Sequence, residues 1–353
     1  LKISNWIYSL IKIKCSKSTS IPKGTTAGTY TVYYYVNGTS NYKETSGSVI
    51  VTIKKYNISN AVIGTINDQI YTGNPIKPTP LVTASMPNSS VATLVNNTDY
   101  TYSYSNNTNA GTGKVTVTGT GNYTGTKSKT FNITKATNPT VITANTLTYN
   151  AEAQVLVTSS KEQGYICYSL SALPKSCTSN SDLPKGTTAG TYTVYYMVSE
   201  SGNYNKKTGS VKVTIDQYDI SKGTLGSVSD QAYTGSAVKP TPSVTVPIPS
   251  GKTTTLVNNT DYTYSYSNNT SVGTGTVIVT GKGNYKGTKS TTFKITPKSS
   301  SCTITSVPTL KYPSSTTGSI QFKCTGDGAI TVTSSNTGII EVTSTGTTGA
   351  GLK

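Results

Sequence analysis

The chain has 353 residues, of which 33% are hydrophobic and 12% charged, and its 30 basic and 13 acidic residues give a formal net charge of +17. This low hydrophobic content argues against one large core, and the sequence has no run of 18 apolar residues that could span a membrane. All the basic residues are lysines scattered along the chain. Specific nucleic-acid recognition relies on arginine and is not expected. The charge indicates solubilising surface lysines, with loose attraction to an anionic wall polymer or glycan as the alternative.

An internal repeat organises the chain. Residues 22–34 and 184–196 both read PKGTTAGTYTVYY, and residues 94–108 and 256–270 both read LVNNTDYTYSYSNNT. Both pairs are offset by 162 residues (184 − 22 and 256 − 94), so a whole unit was duplicated without net insertion. Such a unit is typical of a string of small domains that spaces or displays something, rather than of one folded enzyme.

The repeat predicts five modules of three types. They are a partial type A module at 1–55, a type B module at 56–135, a complete type A module at 136–217, a type B module at 218–297 and a partial third type at 298–353. Links of only a few residues join them, which allows bending but not free tumbling. Because the chain starts with Leu1 and stops within a module, we expect a fragment of a longer protein.

Alternating residues predict β-structure in every module. TYTVYYYV at 29–36 alternates, and closing strands follow at 46–53 and 209–215. DYTYSYS at 99–105 puts three tyrosines on one face and threonine or serine on the other. Turns rich in glycine and asparagine separate the strands, and no helical period is present. The predicted fold class is all-β, with tandem Ig-like β-sandwich modules in an elongated rod.

The segment AGTYTV, at 27–32 and 189–194, looks like the tyrosine corner of immunoglobulin-like sandwiches. In that corner the phenol hydroxyl bonds back to upstream backbone. The prediction assigns this role to Tyr30 and Tyr192. Val32 and Val194 would then fill the core position that holds a cysteine in antibody domains.

Three stretches resemble known bacterial repeats. LTYNAEAQVLV to VKVTI (147–215) resembles the bacterial Ig-like repeats of large Firmicutes surface proteins, and 230–296 is similar to a companion repeat of such proteins. GAITVTSSNTGIIEVTSTGTTGAG (328–351) looks like the start of a group 2 bacterial Ig-like domain. The resemblance implies a non-catalytic stalk or adhesin segment that is extracellular, on the bacterial cell surface or secreted. Two alternatives remain open: accessory glycan-binding modules of a secreted carbohydrase, and Ig-like decoration of a phage structural protein.

The cysteines predict two disulfides. Cys167 and Cys177 flank one turn and Cys302 and Cys324 flank another, so each pair is placed to bridge two antiparallel strands. Bridges there would suit an oxidising, extracellular location, and reduced buried thiols are the alternative. Cys15 matches Cys177 at the 162-residue offset, but in the first copy the position directly before the shared letters YSL, where Cys167 stands in the second copy, holds Ile7, so we expect Cys15 to be unpaired. With no CxxC spacing and no histidine, a zinc site is not expected.

The sequence predicts no catalytic site and no cofactor. Histidine, the commonest general base, is absent. Two carboxylates recur in both copies, as Asp68 with Asp230 and Asp99 with Asp261, and their positions before strands indicate turn capping. A carboxylate pair for glycoside hydrolysis stays as the alternative, although a catalytic site duplicated inside two repeats would be unusual.

Calcium at the module links is a second hypothesis with little support. One link carries Asp216 and Asp219, but the equivalent link carries Lys54 and Asn57. A required calcium site would not tolerate that change, so no metal is predicted. Lys–Asn isopeptide crosslinks are not indicated either, because no acid is placed to assist one.

Tyrosines are the best candidates for contact with a partner. Tyr33, Tyr35 and Tyr195 lie on the strand face opposite the corner tyrosines, where rings could stack on sugars or dock a protein. The alternative is that they cover strand edges with their hydroxyls in water. Host or wall glycans or proteins, bound by weak multivalent contacts, are the partners this reading implies.

Overall fold

The structure, a computed structural model, describes residues 22–249, 251–314, 317–325, 330–335, 342–345 and 349–352. In these ranges the regular structure is β-strand apart from two 3₁₀ helices, Ile58–Asn60 and Ile220–Lys222. The all-β prediction is therefore confirmed, and the two short helices are additions that the sequence pattern did not indicate. The described part of the chain has no helix long and apolar enough to cross a membrane. The prediction for Cys15 falls outside the described residues.

The first strands form a hairpin. β1 (Gly28–Val36) and β2 (Thr45–Ile53) pair antiparallel over their whole length. They match the predicted strands at 29–36 and 46–53 to within one residue. Val32 is half-buried in this hairpin.

Nine strands follow between residues 56 and 134. They are β3 (Tyr56–Asn57), β4 (Val62–Ile63), β5 (Gln69–Ile70), β6 (Val82–Ser85), β7 (Val91–Thr93), β8 (Tyr100–Ser105), β9 (Gly111–Gly119), β10 (Tyr123–Thr124) and β11 (Thr126–Thr134). One sheet has the order β5-β11-β9-β8, a second has the order β4-β6-β7, and β3 pairs with β10. The side chains between the two sheets form the core of a sandwich.

The next eight strands lie between residues 141 and 216. They are β12 (Val141–Ala144), β13 (Leu147–Thr148), β14 (Gln154–Val155), β15 (Val157–Ser160), β16 (Ile166–Ser169), β17 (Lys185–Gly186), β18 (Gly190–Val198) and β19 (Lys207–Asp216). The main sheet has the order β13-β19-β18-β16, faced by the pairs β12-β15 and β14-β17.

The arrangement at 56–134 then recurs at 218–296. Its strands are β20 (Tyr218–Asp219), β21 (Thr224–Leu225), β22 (Gln231–Ala232), β23 (Val244–Pro247), β24 (Thr253–Thr255), β25 (Tyr262–Ser267), β26 (Gly273–Gly281), β27 (Tyr285–Lys286) and β28 (Thr288–Thr296). Their sheet orders, β22-β28-β26-β25 and β21-β23-β24, repeat those of the first copy. The duplicated sequence therefore folds into the same topology twice.

The last described strands form one further sheet. They are β29 (Ser301–Ser306), β30 (Gly318–Thr325), β31 (Val342–Thr345) and β32 (Gly349–Leu352). The sheet order is β29-β30-β32-β31. Their place in a group 2 bacterial Ig-like domain remains a prediction.

Each of the strand groups 56–134, 141–216 and 218–296 has a hydrophobic core of its own. Fully buried members of these cores are Ile58, Val82, Val117, Leu156, Val157, Val194, Ile220 and Val246. Fully burying a side chain of this kind contributes about 1.5–3 kcal/mol relative to leaving it exposed. Tandem Ig-like β-sandwich modules are thus the architecture, and the exact module boundaries stay a prediction.

The alternating tyrosines of β8, and those of β25, form a row that we call the tyrosine ladder. Hydroxyls of each ladder bond to a proline-containing segment of the same type B sandwich. The Tyr104 hydroxyl donates to the Pro78 carbonyl at 2.9 Å, and its counterpart Tyr266 donates to Pro240 at 3.0 Å. The middle tyrosine of each ladder donates in the same way to the proline carbonyl two residues further on. The ladders therefore satisfy backbone acceptors within the module, which explains why so polar a strand can pack.

Candidate functional site: the joints between modules

An asparagine–tyrosine pair recurs along the chain, and three of its four copies lie at joints between modules. It occurs at 41–42, 122–123, 203–204 and 284–285, at three equal intervals of 81 residues (122 − 41, 203 − 122 and 284 − 203). The sequence analysis missed this half-repeat because the surrounding residues differ between type A and type B modules. The recurring letters G-N-Y or S-N-Y are the signal that would have found it.

The asparagine side chain reaches into the preceding module. Oδ1 of Asn122, Asn203 and Asn284 accepts a hydrogen bond from the backbone amide of Ala27, Ala110 and Ala189 respectively, each at 2.8 Å. Each of these alanines stands directly before the glycine that starts a long strand. The same contact therefore closes three successive joints.

The asparagine backbone also holds the linker. The carbonyls of Asn122, Asn203 and Asn284 accept from the amides of Tyr56, Ala136 and Tyr218, each at 2.9 Å. One asparagine thus bonds the preceding module with its side chain and the linker with its main chain. A linker fixed at two points cannot swing as freely as its length alone would allow.

Tyrosine rings add an apolar contact at two joints. Tyr204 meets Tyr71 of the preceding module, and Tyr285 meets Tyr149, both edge-to-face with ring centroids 5.4 Å apart. Aromatic pairs in this geometry contribute about 0.5–1.5 kcal/mol beyond their buried area. Burial raises the pKa of Tyr285, with a further rise from its neighbour Tyr149, so this hydroxyl stays neutral in the joint.

A carboxylate or amide cap stands just after each linker into a type B module. Asn57 Oδ1 and Asp219 Oδ1 accept from the amides of Ser59 and Ser221, each at 2.9 Å, and so cap the two 3₁₀ helices. Either side chain supplies the oxygen that an N-cap needs. This explains why asparagine and aspartate interchange here, and it gives Asp219 a role that needs no calcium. Among the described residues no three His, Cys, Asp or Glu side chains cluster as metal ligands.

Two of the recurring carboxylates support turns, and a third bonds across the sandwich. Asp99 and Asp261 accept through Oδ2 from the amides of Val95 and Val257, each at 2.8 Å, which closes the turn before the tyrosine strand. Asp68 accepts from the side chain of Asn132 on β11 at 3.0 Å. The expectation of turn capping therefore fits Asp99 and Asp261 but not Asp68.

The corner tyrosines bond to the backbone four residues upstream. Tyr192 donates to the Thr188 carbonyl at 2.9 Å and accepts from the Thr188 amide at 3.1 Å, and Tyr30 donates to the Thr26 carbonyl at 2.7 Å. Burial raises the pKa of Tyr192, but the hydrogen bonds to Thr188 outweigh it and hold the pKa below its usual value. Val194 beneath the corner is fully buried.

Replacing Tyr192 by phenylalanine is expected to lower the stability of the strand group 141–216. The ring stays and only the hydroxyl bonds are lost, which costs about 0.5–1.5 kcal/mol and more if the Thr188 groups stay unpaired. A cost of about 1 kcal/mol lowers the melting temperature by roughly 4–8 °C in a domain of this size. Calorimetry of the whole chain would measure it.

The matched control is Tyr195→Phe, three residues further along the same strand. It should leave melting nearly unchanged. The transition of strand group 218–296 should not respond to either variant, because both residues lie on β18, in strand group 141–216, which has its own core. Equal shifts from both tyrosines would contradict the corner role.

The structure places both cysteine pairs within bonding distance. Cys302 and Cys324 are opposite each other on β29 and β30, with Cα atoms 4.0 Å apart. Cys167 lies on β16, but Cys177 lies in a loop, with Cα atoms 5.6 Å apart. The expectation of a cross-strand bridge was therefore wrong for Cys177: the segment 170–184 contains no strand, so this bridge ties a loop to the sheet.

Peptide mapping without reductant is expected to recover the linked pairs Cys167–Cys177 and Cys302–Cys324. Closing loops of 10 and 22 residues stabilises a module by about 2.5–3.5 kcal/mol, mainly through the unfolded chain. Melting of the oxidised chain should therefore fall on addition of reductant. Free thiols at all four positions in secreted material would contradict the pairing.

The tyrosines proposed for partner contact are not equivalent. Tyr33 is 80% exposed, whereas the Tyr35 hydroxyl bonds to Glu44 and Tyr195 is half-buried. They lie on two different modules, so they do not form one surface. Of the three, only Tyr33 offers an open ring.

Comparisons with known proteins add little. No protein-family model matches the chain, and no curated protein is significantly similar to it. Among solved structures, "PcdhgB3 EC1-4 in 50 mM HEPES" is 12% identical and covers 78% of this chain and 84% of its own, with a TM-score of 0.21. A TM-score this low carries no argument about function or about how the modules are arranged.

Proposed function

We propose that the chain is a non-catalytic spacer of an extracellular protein. The hydrogen-bonded joints between its small β-sandwich modules hold those modules in line. The observation that carries this proposal is the asparagine contact repeated at three successive joints. A protein selected for catalysis has no need to repeat the same joint, whereas a spacer must reproduce it so that length and direction add up along the chain.

The finer proposal is a stalk or adhesin segment of a bacterial cell-surface protein. The two disulfides support an oxidising compartment, and the repeats resemble those of Firmicutes surface proteins. Such a segment holds a distal binding domain away from the wall, or makes weak contacts of its own that avidity multiplies. The exposed Tyr33 ring is the candidate for such a contact with a glycan or protein.

Small-angle scattering of the 353-residue chain tests the spacer role. Strands of about seven residues at roughly 3.3 Å each give a module at least 23 Å long before loops are added. Four to five modules in line are therefore expected to give a maximum dimension above roughly 100 Å. A compact globular scattering curve would overturn the proposal.

Flanking gene sequence tests the finer proposal. A sorting signal or wall anchor in the same reading frame is the expected result. A catalytic domain for carbohydrate cleavage would favour accessory glycan-binding modules instead, and neighbouring tail or capsid genes would favour a phage structural protein.

A further inference from the structure

The first segment of each sandwich runs parallel to its last strand. In strand group 56–134, β3 pairs parallel with β10, and β5 pairs parallel with β11. Strand group 218–296 repeats both pairings, as β20 with β27 and β22 with β28. In strand group 141–216, β13 pairs parallel with β19, and Ala136 just before the group forms a parallel bridge with Tyr204. The segment that enters each sandwich is therefore bonded alongside the strand that leaves it.

Further hydrogen bonds join the two segments where the last strand ends. The Tyr71 amide donates to the Thr134 carbonyl at 2.9 Å, and the Thr134 hydroxyl donates to the Gln69 carbonyl at 3.0 Å. The same amide-to-carbonyl bond occurs in the other two strand groups, from Tyr149 to Asp216 at 2.8 Å and from Tyr233 to Thr296 at 2.9 Å. One bonding pattern thus recurs at the exit of three successive sandwiches.

A lysine near the start of the last strand holds the middle of the entering segment. It is the first or second residue of β11, β19 and β28. Its ammonium group donates to a carbonyl of the entering segment: Lys127 to Ser59 at 2.8 Å, Lys207 to Thr140 at 2.5 Å and Lys289 to Ser221 at 2.9 Å. We call the parallel pairs, together with the lysine bond and the amide-to-carbonyl bond at the exit, the clamp of each sandwich.

The clamp has the geometry that resists stretching. In a parallel pair, the beginning of one strand and the end of the other lie at opposite ends of the pair. Pulling the two chain ends of a sandwich apart therefore slides the entering segment along the leaving strand. All bonds of the clamp then carry the load together, whereas two strands pulled apart crosswise lose their bonds one at a time.

We propose that the chain bears tension along its length and that the clamps keep its sandwiches folded under this load. The proposal rests on the spacer role and deepens it, because a spacer held at one end and loaded at the other is stretched along its axis. Modules in series all carry the same force, so the weakest one limits the chain. The clamp meets this demand, since it occurs in both module types although the sheets that face the clamped sheets differ between them.

The test is constant-force stretching of the whole chain between its two ends, without reductant. Replacing both Lys127 and Lys289 by methionine keeps the aliphatic stems and removes one clamp bond from each type B sandwich. The folded lifetime of these sandwiches under force should shorten about fivefold, because a clamp bond must break before the rest unfolds. Strand group 141–216 releases less chain on unfolding, because the Cys167–Cys177 bridge keeps its loop closed, so its events serve as the internal reference.

The matched control replaces both Tyr104 and Tyr266 by phenylalanine. Each substitution removes one hydroxyl bond of similar length from the same sandwiches, to a proline carbonyl outside the clamp. Calorimetry should show that both double variants fold, and only the lysine variant should shorten the lifetime under force. Handles on Lys114 and Thr130, which face each other across β9 and β11, pull crosswise and should unfold strand group 56–134 at a far lower force than the chain ends do.

A second clamp variant keeps the outcome decisive if the lysine variant does not fold. Thr134→Val with Thr296→Val removes the hydroxyl bonds that join β11 to β5 and β28 to β22, and it should shorten the lifetime in the same way. Unchanged lifetimes in the clamp variants, equal shortening by the tyrosine control, or equal unfolding forces in the two pulling directions would overturn the proposal. Any of these results with an extended scattering curve would leave the spacer role intact, whereas a compact curve would overturn the spacer role itself.

Discussion

Replacing Gly287 by alanine is expected to destabilise the strand group 218–296 by about 2–4 kcal/mol. Gly287 has φ +82°, a left-handed conformation that costs a residue with a side chain roughly 1–2 kcal/mol. An alanine Cβ would also stand 2.3 Å from Asp219 Oδ1. That oxygen caps the 3₁₀ helix through the Ser221 amide, and displacing a cap costs about 0.5–2 kcal/mol. The melting transition of this sandwich should fall by roughly 4–8 °C per kcal/mol.

A second glycine of the same sandwich separates the energetic cost of backbone strain from the cost of the contact with Asp219. Gly235 has φ +79°, but no atom lies within 4 Å of an added Cβ, so Gly235→Ala carries only the backbone penalty. Gly125→Ala should repeat the larger effect in strand group 56–134, because its Cβ would lie 2.2 Å from Asn57 Oδ1. Calorimetry of the whole chain measures all three variants. Equal losses for Gly287 and Gly235 would mean that the contact with Asp219 adds nothing.

Pattern and repeat were enough to predict the fold class and the long strands. The alternation at 29–36 and 209–215 indicates strands, and β1 and β19 lie where it indicates. Every second residue of β19 is buried or half-buried, whereas in β1 Tyr34 and Val36, on the face that carries Tyr30 and Val32, are each 54% exposed. The tyrosine alternation at 99–105 matches β8 in the same way. Period-2 patterns are readable because one face of each strand is buried and the other is not.

Elements too short to show a repeating hydrophobic pattern could not be predicted from the sequence. A three-residue 3₁₀ helix such as Ile58–Asn60 has no period to detect, and its cap, Asn57, looks like any loop asparagine. The position of Cys177 in a loop depends on how residues 170–184 cross the sandwich, which the spacing of two cysteines does not contain. The calcium hypothesis was set aside on sequence grounds, and the cap explains why asparagine and aspartate interchange at this position.

The sequence analysis missed the joints for a different reason. Long identical segments draw attention to the 162-residue repeat, whereas the joint depends on two letters every 81 residues. The partner of each asparagine is a backbone amide, which any residue except proline can provide. The residue type at this position can therefore differ between copies, as Ala110 and Val272 do, while the donor stays the same. Contacts to main chain leave a weak sequence signal because only one partner needs a particular side chain.

Replacing Asn203 by alanine is expected to loosen the joint between strand groups 56–134 and 141–216 without melting either. The variant loses the bonds from the Ala110 amide, at 2.8 Å, and to the Asn109 side chain, at 3.2 Å. It keeps the bond from the Ala136 amide to the backbone of residue 203, at 2.9 Å. Since a net hydrogen bond contributes about 1 kcal/mol, the undocked population should rise about fivefold for each bond lost.

Pulsed electron–electron distance measurement would detect this loosening, with labels at the exposed positions Thr130 and Lys212 attached by chemistry that spares the disulfides. The distance distribution should broaden in Asn203→Ala while the calorimetric transitions stay in place. Asn132→Ala is the matched control, because its side chain bonds to Asp68 within one sandwich and touches no joint. If both variants leave the distribution narrow, the remaining contacts hold the joint: the Tyr204–Tyr71 ring contact, the backbone pairing and the Lys135–Glu200 ion pair. The repeated asparagine would then be a consequence of duplication rather than the element that keeps the modules in line.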